Sequence, residues 1–226
     1  MKTKERELAR SLRSEDGCSI KEIARRLGVS RASVSVWVRD VVLTDDQRAR
    51  LERRARNGYL TVAAASRDAA RRRREGYQED GRRLARTAGT EYACGCMLFW
   101  AEGSRARNSA QLVNSDPALV RFWIDFLRRY FDVESRRIRL VCNLFADHED
   151  IRRDIERFWL STLGLPDESL LTSMVNRYSR VSNRKRLNKL PYGTAKVTVH
   201  DTRIVQMLYG SIQELAGFER PEWLDL

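Results

Sequence analysis

One carboxylate stands at the end of an apolar stretch near the middle of the chain. The segment CGCMLFWAEGS runs from Cys94 to Ser104, and Glu102 is its only charged residue. Such an acid either reaches water or pairs with a nearby arginine, or it binds a divalent cation that activates water. The helix dipole disfavours an acid at a helix C-terminus, which favours a special role for Glu102.

A second group of candidate residues lies in the stretch SIKEIARRLGVSRASVSVWVRDV, residues 19–41. Its apolar residues recur at helical spacing. Gly28 permits a tight turn before a second helix, which Ser30 caps and which we expect to end at about Asp40. In a helix that enters the major groove, arginine donates to guanine and serine bonds to a base or a phosphate. The predicted DNA-binding residues of this helix are Arg31, Ala32, Ser33, Ser35 and Arg39.

This stretch resembles the helix-turn-helix of bacterial regulators and recombinases. The family pattern ExARxLGVSxxTVxxW is matched by Glu22, Ala24, Arg25, Leu27, Gly28, Val29, Ser30, Val34 and Trp37. The resemblance implies a trihelical DNA-binding domain over residues 1–43, with a first helix over residues 5–12 and double-stranded DNA as its partner. An ordinary helical hairpin is the alternative.

The charge of the chain is strongly positive and unevenly distributed. The formal net charge is +12 at pH 7 and the pI is about 10.1. Residues 1–90 hold 23 Lys and Arg against 13 Asp and Glu, whereas residues 91–226 hold 20 against 18. Such a balance favours nucleic acid as the partner, and the N-terminal part as the place of contact.

The remaining composition limits the classes of protein. The four cysteines form no CxxC pair and there are two histidines, so we expect no structural zinc. We expect no cofactor unless Glu102 binds a divalent cation. The sequence has neither an apolar signal segment at its beginning nor a run of 18 apolar residues that would span a membrane. We therefore predict a cytoplasmic protein without membrane contact.

Residues 44–89 are predicted to form a basic helical linker. Thr44 and Gln47 have the spacing of a capping box, and Gly58 is expected to end the helix that they begin. A second basic helix follows. Its run Arg71–Arg74 either follows DNA phosphates or forms a solvated surface.

Residues 90–226 are predicted to form an α+β domain. Helices and strands alternate in the order α-β-α-β-α-β-β-α, which indicates a mixed or antiparallel sheet. Strands are expected over 109–115, over 136–145 where Arg137 and Arg139 share one face, within 170–179, and over 194–200. Pro117 is expected to begin a helix.

The segment MLFWAEG and the following QLVNSDPALVRFWIDFLRRYFDV resemble the single-motif LAGLIDADG fold of homing endonucleases. The motif's small residue, acid and glycine are matched by Ala101, Glu102 and Gly103, and the elements behind it by Leu112, Asp116 and residues 131–133. The predicted fold class is therefore α+β, with an N-terminal trihelical helix-turn-helix, a helical linker and a C-terminal LAGLIDADG-like α/β saddle domain.

The resemblance implies roles for several residues. Two motif helices would pair in a homodimer, where Glu102 would be the catalytic residue and the Mg²⁺ ligand. A bulky Met97 and Trp100 stand where the family has glycine and aspartate, so pairing would use a different register, through Cys94, Gly95 and Ala101. The saddle of strands would contact DNA through Arg137, Arg139, Lys196 and Arg177.

Three functions follow as hypotheses. The first is a sequence-specific double-stranded DNA-binding protein, a regulator that uses its LAGLIDADG-like domain without nuclease activity. WhiA-type regulators resemble it, since they join the same two modules in the opposite order. The second is a Mg²⁺-dependent homing-type DNA endonuclease that acts as a homodimer. The third is an accessory factor that docks on a protein partner such as a recombinase.

Overall fold

The computed structural model describes residues 3–176 and 190–225. The protein is α+β, about 66% helical, with one small four-stranded mixed sheet. The chain divides into two compact units, Met1–Ala69 and Ala70–Leu226, called here the N-terminal unit and the C-terminal unit. The α+β class and the mixed sheet expected from the sequence are confirmed.

The N-terminal unit contains three short helices and the beginning of a long one. The helices are α1 (Thr3–Ser14), α2 (Ile20–Leu27) and α3 (Arg31–Trp37), followed by the first part of α4 (Asp45–Thr87). Gly28 ends α2 with a φ of +64°, a conformation that glycine adopts without steric cost. The small core of this unit consists of Ala9, Cys18, Ile23, Ala24, Val34 and Val38.

Helix α3 is shorter than the sequence predicts. It begins at Arg31 after the Ser30 cap, as expected, but it ends at Trp37 and not near Asp40. The Arg10 side chain binds this end of the helix. One of its nitrogens donates to the Trp37 carbonyl at 2.8 Å, and both nitrogens bind the Asp40 carboxylate. The last carbonyl of the helix thus has a partner from α1, and Arg39 lies beyond the helix.

The start of α4 is tied to the loop between α1 and α2. The predicted capping box is confirmed, because Gln47 Oε1 accepts from the Thr44 amide at 3.0 Å and Thr44 Oγ1 accepts from the Gln47 amide at 3.2 Å. Gln47 Nε2 also donates to the carbonyls of Ser14 and Glu15 at 3.0 and 3.2 Å. The same side chain therefore caps α4 and satisfies two loop carbonyls.

The prediction that a helix ends at Gly58 is wrong, since α4 continues through it to Thr87. Gly58 does not have a positive φ, and the space around its Cα is open. Glycine weakens a helix interior by about 1 kcal/mol but does not have to end it. The residues predicted as a linker, 44–89, belong partly to each unit.

The C-terminal unit alternates helices and strands in the predicted order. From residue 89 onward the elements are α5 (Gly89–Glu102), β1 (Ala110–Asn114), α6 (Pro117–Phe131), β2 (Arg139–Phe145), α7 (Arg152–Leu163), β3 (Met174–Asn176), β4 (Thr194–Val199) and α8 (Thr202–Ala216). Pro117 does begin a helix, which the Asp116 carboxylate caps. The basic loop after β3 lies largely outside the described residues.

The sheet has the order β1-β4-β2-β3. Strands β1 and β2 pair antiparallel with β4, and β3 pairs parallel with β2. Alternation along the strands gives one fully buried side. That side consists of Ala110, Leu112, Leu140, Cys142, Ala195, Val197 and Val199. Helices α5 and α6 contact β1, and the rings of Phe99 and Trp123 stack at 5.4 Å in the core.

The second part of α4 packs tightly on α8 within the C-terminal unit. A Cβ placed on Gly81 would lie 2.0 Å from the Met207 carbonyl oxygen, and one on Gly210 would lie 2.0 Å from that of Gln78. The two backbones thus touch where each helix has a glycine. Beside them the buried Gln78 amide donates to Gln206 at 2.8 Å and accepts from Gln213 at 3.1 Å. This part of α4 belongs to the core.

Arginines of α4 in the C-terminal unit bind the end of the chain and the end of α8. Arg74, whose side chain is 12% exposed, donates to the Leu224 carbonyl at 2.5 Å and lies 3.4 Å from Asp225. The other pairs are Arg71 with Asp225, Arg82 with Glu219 and Arg86 with Glu214. Within the run Arg71–Arg74, the first and last residues are therefore structural, and the two between them are exposed.

No helix among the described residues is long and apolar enough to cross a membrane.

Candidate nucleic-acid interfaces

A groove in the N-terminal unit is lined by basic side chains of three helices. Lys21 and Arg25 of α2, Arg31 of α3 and Arg54 of α4 line it, together with one carboxylate, Glu22. Periodicity places Lys21 and Arg25 here, because Ile23, on the opposite side of α2, is buried in the core. The groove thus brings four cations to one side of the unit.

Three of these cations have no partner within the described part of the chain. The side chains of Lys21, Arg25 and Arg31 are exposed and form no ion pair or hydrogen bond with residues 3–176 or 190–225. Arg26 is different, since it pairs with Glu22 at 2.6 Å. An exposed cation without a partner keeps its attraction for a phosphate, whereas a paired one has partly used it.

The predicted residues of α3 are not equally available. Arg31, Ala32 and Ser35 are exposed as predicted. Ser33 is half-buried. Its hydroxyl lies 2.8 Å from the Ser30 hydroxyl, and its backbone amide donates to the Ser30 hydroxyl oxygen. Its hydrogen-bonding capacity is thus shared with the helix cap. Val36, which is not among the predicted DNA-binding residues, is 61% exposed on this helix.

Arg39 lies beside an ion pair that holds the N-terminal unit together. It is exposed and, among the described residues, has no side-chain partner. The neighbouring Asp40 accepts two hydrogen bonds from Arg10, at 2.6 and 2.9 Å. These bonds favour the ionised carboxylate and lower the pKa of Asp40 to about 2. Arg39 thus remains a candidate for ligand contact, and Asp40 is structural.

Sequence reasoning missed Lys21, Arg25 and Arg54 as interface residues. The first two could have been found, because the same apolar pattern that defines α2 leaves them on its outer side. Arg54 could not. It lines the groove only because α4 begins against the α1–α2 loop, a contact that depends on the tertiary structure.

Strands β2 and β4 position two of the four basic residues predicted on the sheet. Arg139 and Lys196 are half-buried and lie on the side of the sheet opposite the core, since Arg139 pairs with Thr198 and Lys196 with Val141. Arg139 also donates to the Arg136 carbonyl at 2.5 Å. The predicted Arg177 lies outside the described residues.

Arg137 was expected on the strand, but it lies just before it. It belongs to a short 3₁₀ turn, Ser135–Arg137, that precedes β2. Its guanidinium binds the Asp201 carboxylate at 2.7 Å, and the same carboxylate caps the start of α8. The charge of Arg137 thus links the sheet edge to a helix.

Glu102 lies exposed at the C-terminal end of α5. Its recorded partner is the Asn114 side chain, whose Nδ2 lies 3.4 Å from the carboxylate. Gly103 then pairs with Leu112, which carries the chain into the sheet. No group of three His, Cys, Asp or Glu side chains in the described ranges is placed to share a metal ion.

The small residues of α5 are not all available to a second helix. A Cβ on Gly95 would lie 2.2 Å from the ring of Phe126, so this glycine accommodates α6 of the same chain. Trp100, 39% exposed, has its ring 5.4 Å from that of Phe218. Cys94 and Ala101 remain exposed. The close-approach position expected at Gly95 is therefore used inside the unit.

Comparison of the chain with protein-family models, with curated proteins and with solved structures returned no match.

Proposed function

We propose that the protein binds double-stranded DNA sequence-specifically through α2 and α3 and acts as a regulator. The observation that supports the proposal is the set of exposed, unpartnered cations Lys21, Arg25 and Arg31 around one groove of the N-terminal unit. They stand beside a short capped helix whose outer residues are small or basic. A helix of this kind fits the major groove as the second helix of a helix-turn-helix.

The residues divide into two roles under this proposal. Lys21 and Arg25, on α2, contact backbone phosphates and supply affinity that does not depend on sequence. Arg31 and Ser35, on α3, contact base edges, where arginine donates to guanine O6 and N7. The exposed Val36 side chain offers an apolar contact to a thymine methyl group.

One experiment tests both the DNA contact and the role of the C-terminal unit. A nuclease would use Glu102 as a Mg²⁺ ligand, and its exposed carboxylate has one recorded partner, Asn114. Our proposal assigns the DNA contact to the N-terminal unit and gives Glu102 no catalytic role. Cleavage and binding are therefore measured together.

The experiment incubates the full chain with a randomised double-stranded DNA library in Mg²⁺ or in EDTA, and then sequences both bound DNA and cut ends. The proposal expects the same enriched, uncut sites in both buffers. It also expects Arg31→Ala to lose that enrichment while Glu102→Gln keeps it. Cuts that need Mg²⁺ and disappear in Glu102→Gln would establish a nuclease instead. No enrichment in either buffer would refute sequence-specific binding.

A further inference from the structure

Part of α4 in the N-terminal unit is helical without packing on its own chain. All residues from Glu52 to Val62 are exposed. Three of them are large and apolar: Tyr59 at 74%, Leu60 at 54% and Val62 at 71% exposure. The single ion pair that the described residues make to this segment joins Arg54 to Glu22 at 4.0 Å. An isolated helix in water is marginal, so this segment lacks the usual source of helix stability.

The local sequence does not supply that stability. The stretch NGYLTV, residues 57–62, contains a glycine, an asparagine, an aromatic residue and two β-branched residues, all of which are weak helix formers. A helix through such a stretch needs contacts on its side chains. Residues 3–176 and 190–225 form no such contacts, which leaves this side of the helix available to another molecule.

The apolar residues of this segment form a stripe along one side of the helix. Their spacings of three and four residues bring them within about a third of the helix circumference. Glycine and alanine on this side allow the backbone of a second helix to approach closely. We call these residues the α4 stripe: Leu51, Ala55, Gly58, Tyr59, Val62, Ala65 and Ala69.

Charged residues beside the stripe fit a second copy of the same helix. At helical spacing, Arg54 and Asp68 lie on the same flank of the α4 stripe, one near each end. When two copies pack antiparallel in the register centred on residue 61, Arg54 of each copy lies beside Asp68 of the other. Twofold symmetry forms this pair twice. A parallel arrangement brings Arg54 to the opposite flank, next to Tyr59 of the second copy.

We propose that the α4 stripe is the interface through which two copies of the chain pack antiparallel. It is a different surface from α5, whose Gly95 is already filled by Phe126 of the same chain. The interface does not require DNA, so sedimentation of the chain without DNA tests it separately from the proposed function. It is short, and we expect a reversible dimer whose population depends on concentration.

The first test compares Val62→Glu with Leu60→Glu by sedimentation of the full chain under reducing conditions. Both side chains are exposed, but Leu60 lies on the side of the helix opposite the stripe. Val62→Glu places a charge at the centre of the interface and should raise the dimer dissociation constant at least about tenfold, whereas Leu60→Glu should change it less than about twofold. A wild-type chain that stays monomeric up to about 100 µM would overturn the proposal.

The second test uses charge reversal beside the α4 stripe. In a dimer of Arg54→Asp, two carboxylates face each other at both symmetric positions. In a dimer of Asp68→Arg, two guanidinium groups do so. The dimer affinity of each variant should therefore fall about tenfold or less. A mixture of the two variants restores both opposite-charge pairs and should form heterodimers. Equal behaviour of the mixture and the single variants, or capture of a different protein by a monomeric chain, would contradict antiparallel self-association.

Discussion

Two sets of basic side chains, one in each unit, are used in opposite ways. In the N-terminal unit, Lys21, Arg25 and Arg31 line a groove without partners among the described residues. In the C-terminal unit, Arg74 and Arg86 of α4 are engaged with Leu224, Asp225 and Glu214. The sequence alone assigns all of them to one basic region of 90 residues. The difference teaches that net charge predicts binding to a polyanion. Which cations can contact that polyanion depends on whether they already form ion pairs within the chain.

The largest expected effect concerns the structural part of α4. Gly81→Ala places a Cβ 2.0 Å from the Met207 carbonyl oxygen, so α4 and α8 must separate, and we expect a loss of about 1–3 kcal/mol or more in the free energy of unfolding. Gly76→Ala is the control, because the space beside Gly76 is open. There we expect a gain of up to about 1 kcal/mol. Urea unfolding followed by tryptophan fluorescence measures both, and similar values would show that the α4–α8 contact is loose.

The second prediction separates ligand-binding arginines from structural ones. Arg31→Ala should weaken specific DNA binding by about 1–3 kcal/mol and leave unfolding unchanged within about 0.5 kcal/mol. Arg74→Ala should lower stability and leave DNA binding unchanged. It leaves the buried Leu224 carbonyl without its donor, which costs about 1–3 kcal/mol of stability, and DNA affinity should remain the same. Fluorescence anisotropy and urea unfolding give the two values, and a loss of DNA affinity in both variants would remove the distinction.

The third prediction concerns the phosphate contacts. Lys21→Ala should lower affinity for all sequences alike and reduce the slope of log affinity against log salt by about one. Arg86→Ala serves as the control, because that arginine already binds Glu214 at 2.8 and 2.9 Å. Its slope should equal the wild-type slope. A titration of binding between low and physiological salt decides this, and identical slopes for Lys21→Ala and wild type would exclude a phosphate contact at Lys21.

The smallest effect is a pH dependence within the N-terminal unit. The pKa of Asp40 is lowered from its usual 3.8 to about 2 by its hydrogen bonds with Arg10. A lowered folded-state pKa stabilises the fold above the unfolded pKa, and this contribution is lost as the pH falls through about 4 to about 2. Thermal melts of wild type and Asp40→Asn should therefore differ at neutral pH and converge at pH 2. A constant difference across this range would mean that Asp40 does not act through its charge.

Local patterns predicted the elements that depend on neighbouring residues. The cap at Ser30, the turn at Gly28, the helix start at Pro117 and the order of elements from residue 89 onward follow from spacing and side-chain chemistry. The same patterns fail at Gly58, where a glycine predicts the end of a helix that in fact continues. Glycine only lowers helix stability, and the rest of α4 decides whether the helix continues.

The candidate site was predictable in part. Arg31 and Ser35 could be placed outward from helical periodicity, but Ser33 could not be known to share its hydroxyl with Ser30. Arg137 was placed on a strand because the alternation of residues around it continues beyond the point where pairing begins. Long-range partners such as Asp201 are not visible in a local pattern. Roles that depend on contacts between distant segments therefore needed the structure.

The double use of Gln47 has a consequence for how the chain can be divided into fragments. Its amide caps α4 and also satisfies the carbonyls of Ser14 and Glu15. A fragment that ends at residue 43 lacks this side chain and leaves both carbonyls to water. A fragment that ends at residue 69 retains every contact between the α1–α2 loop and α4. The shortest autonomous form of the three small helices thus includes the beginning of a fourth, and a protease that cuts between residues 43 and 47 would loosen the helices that precede the cut.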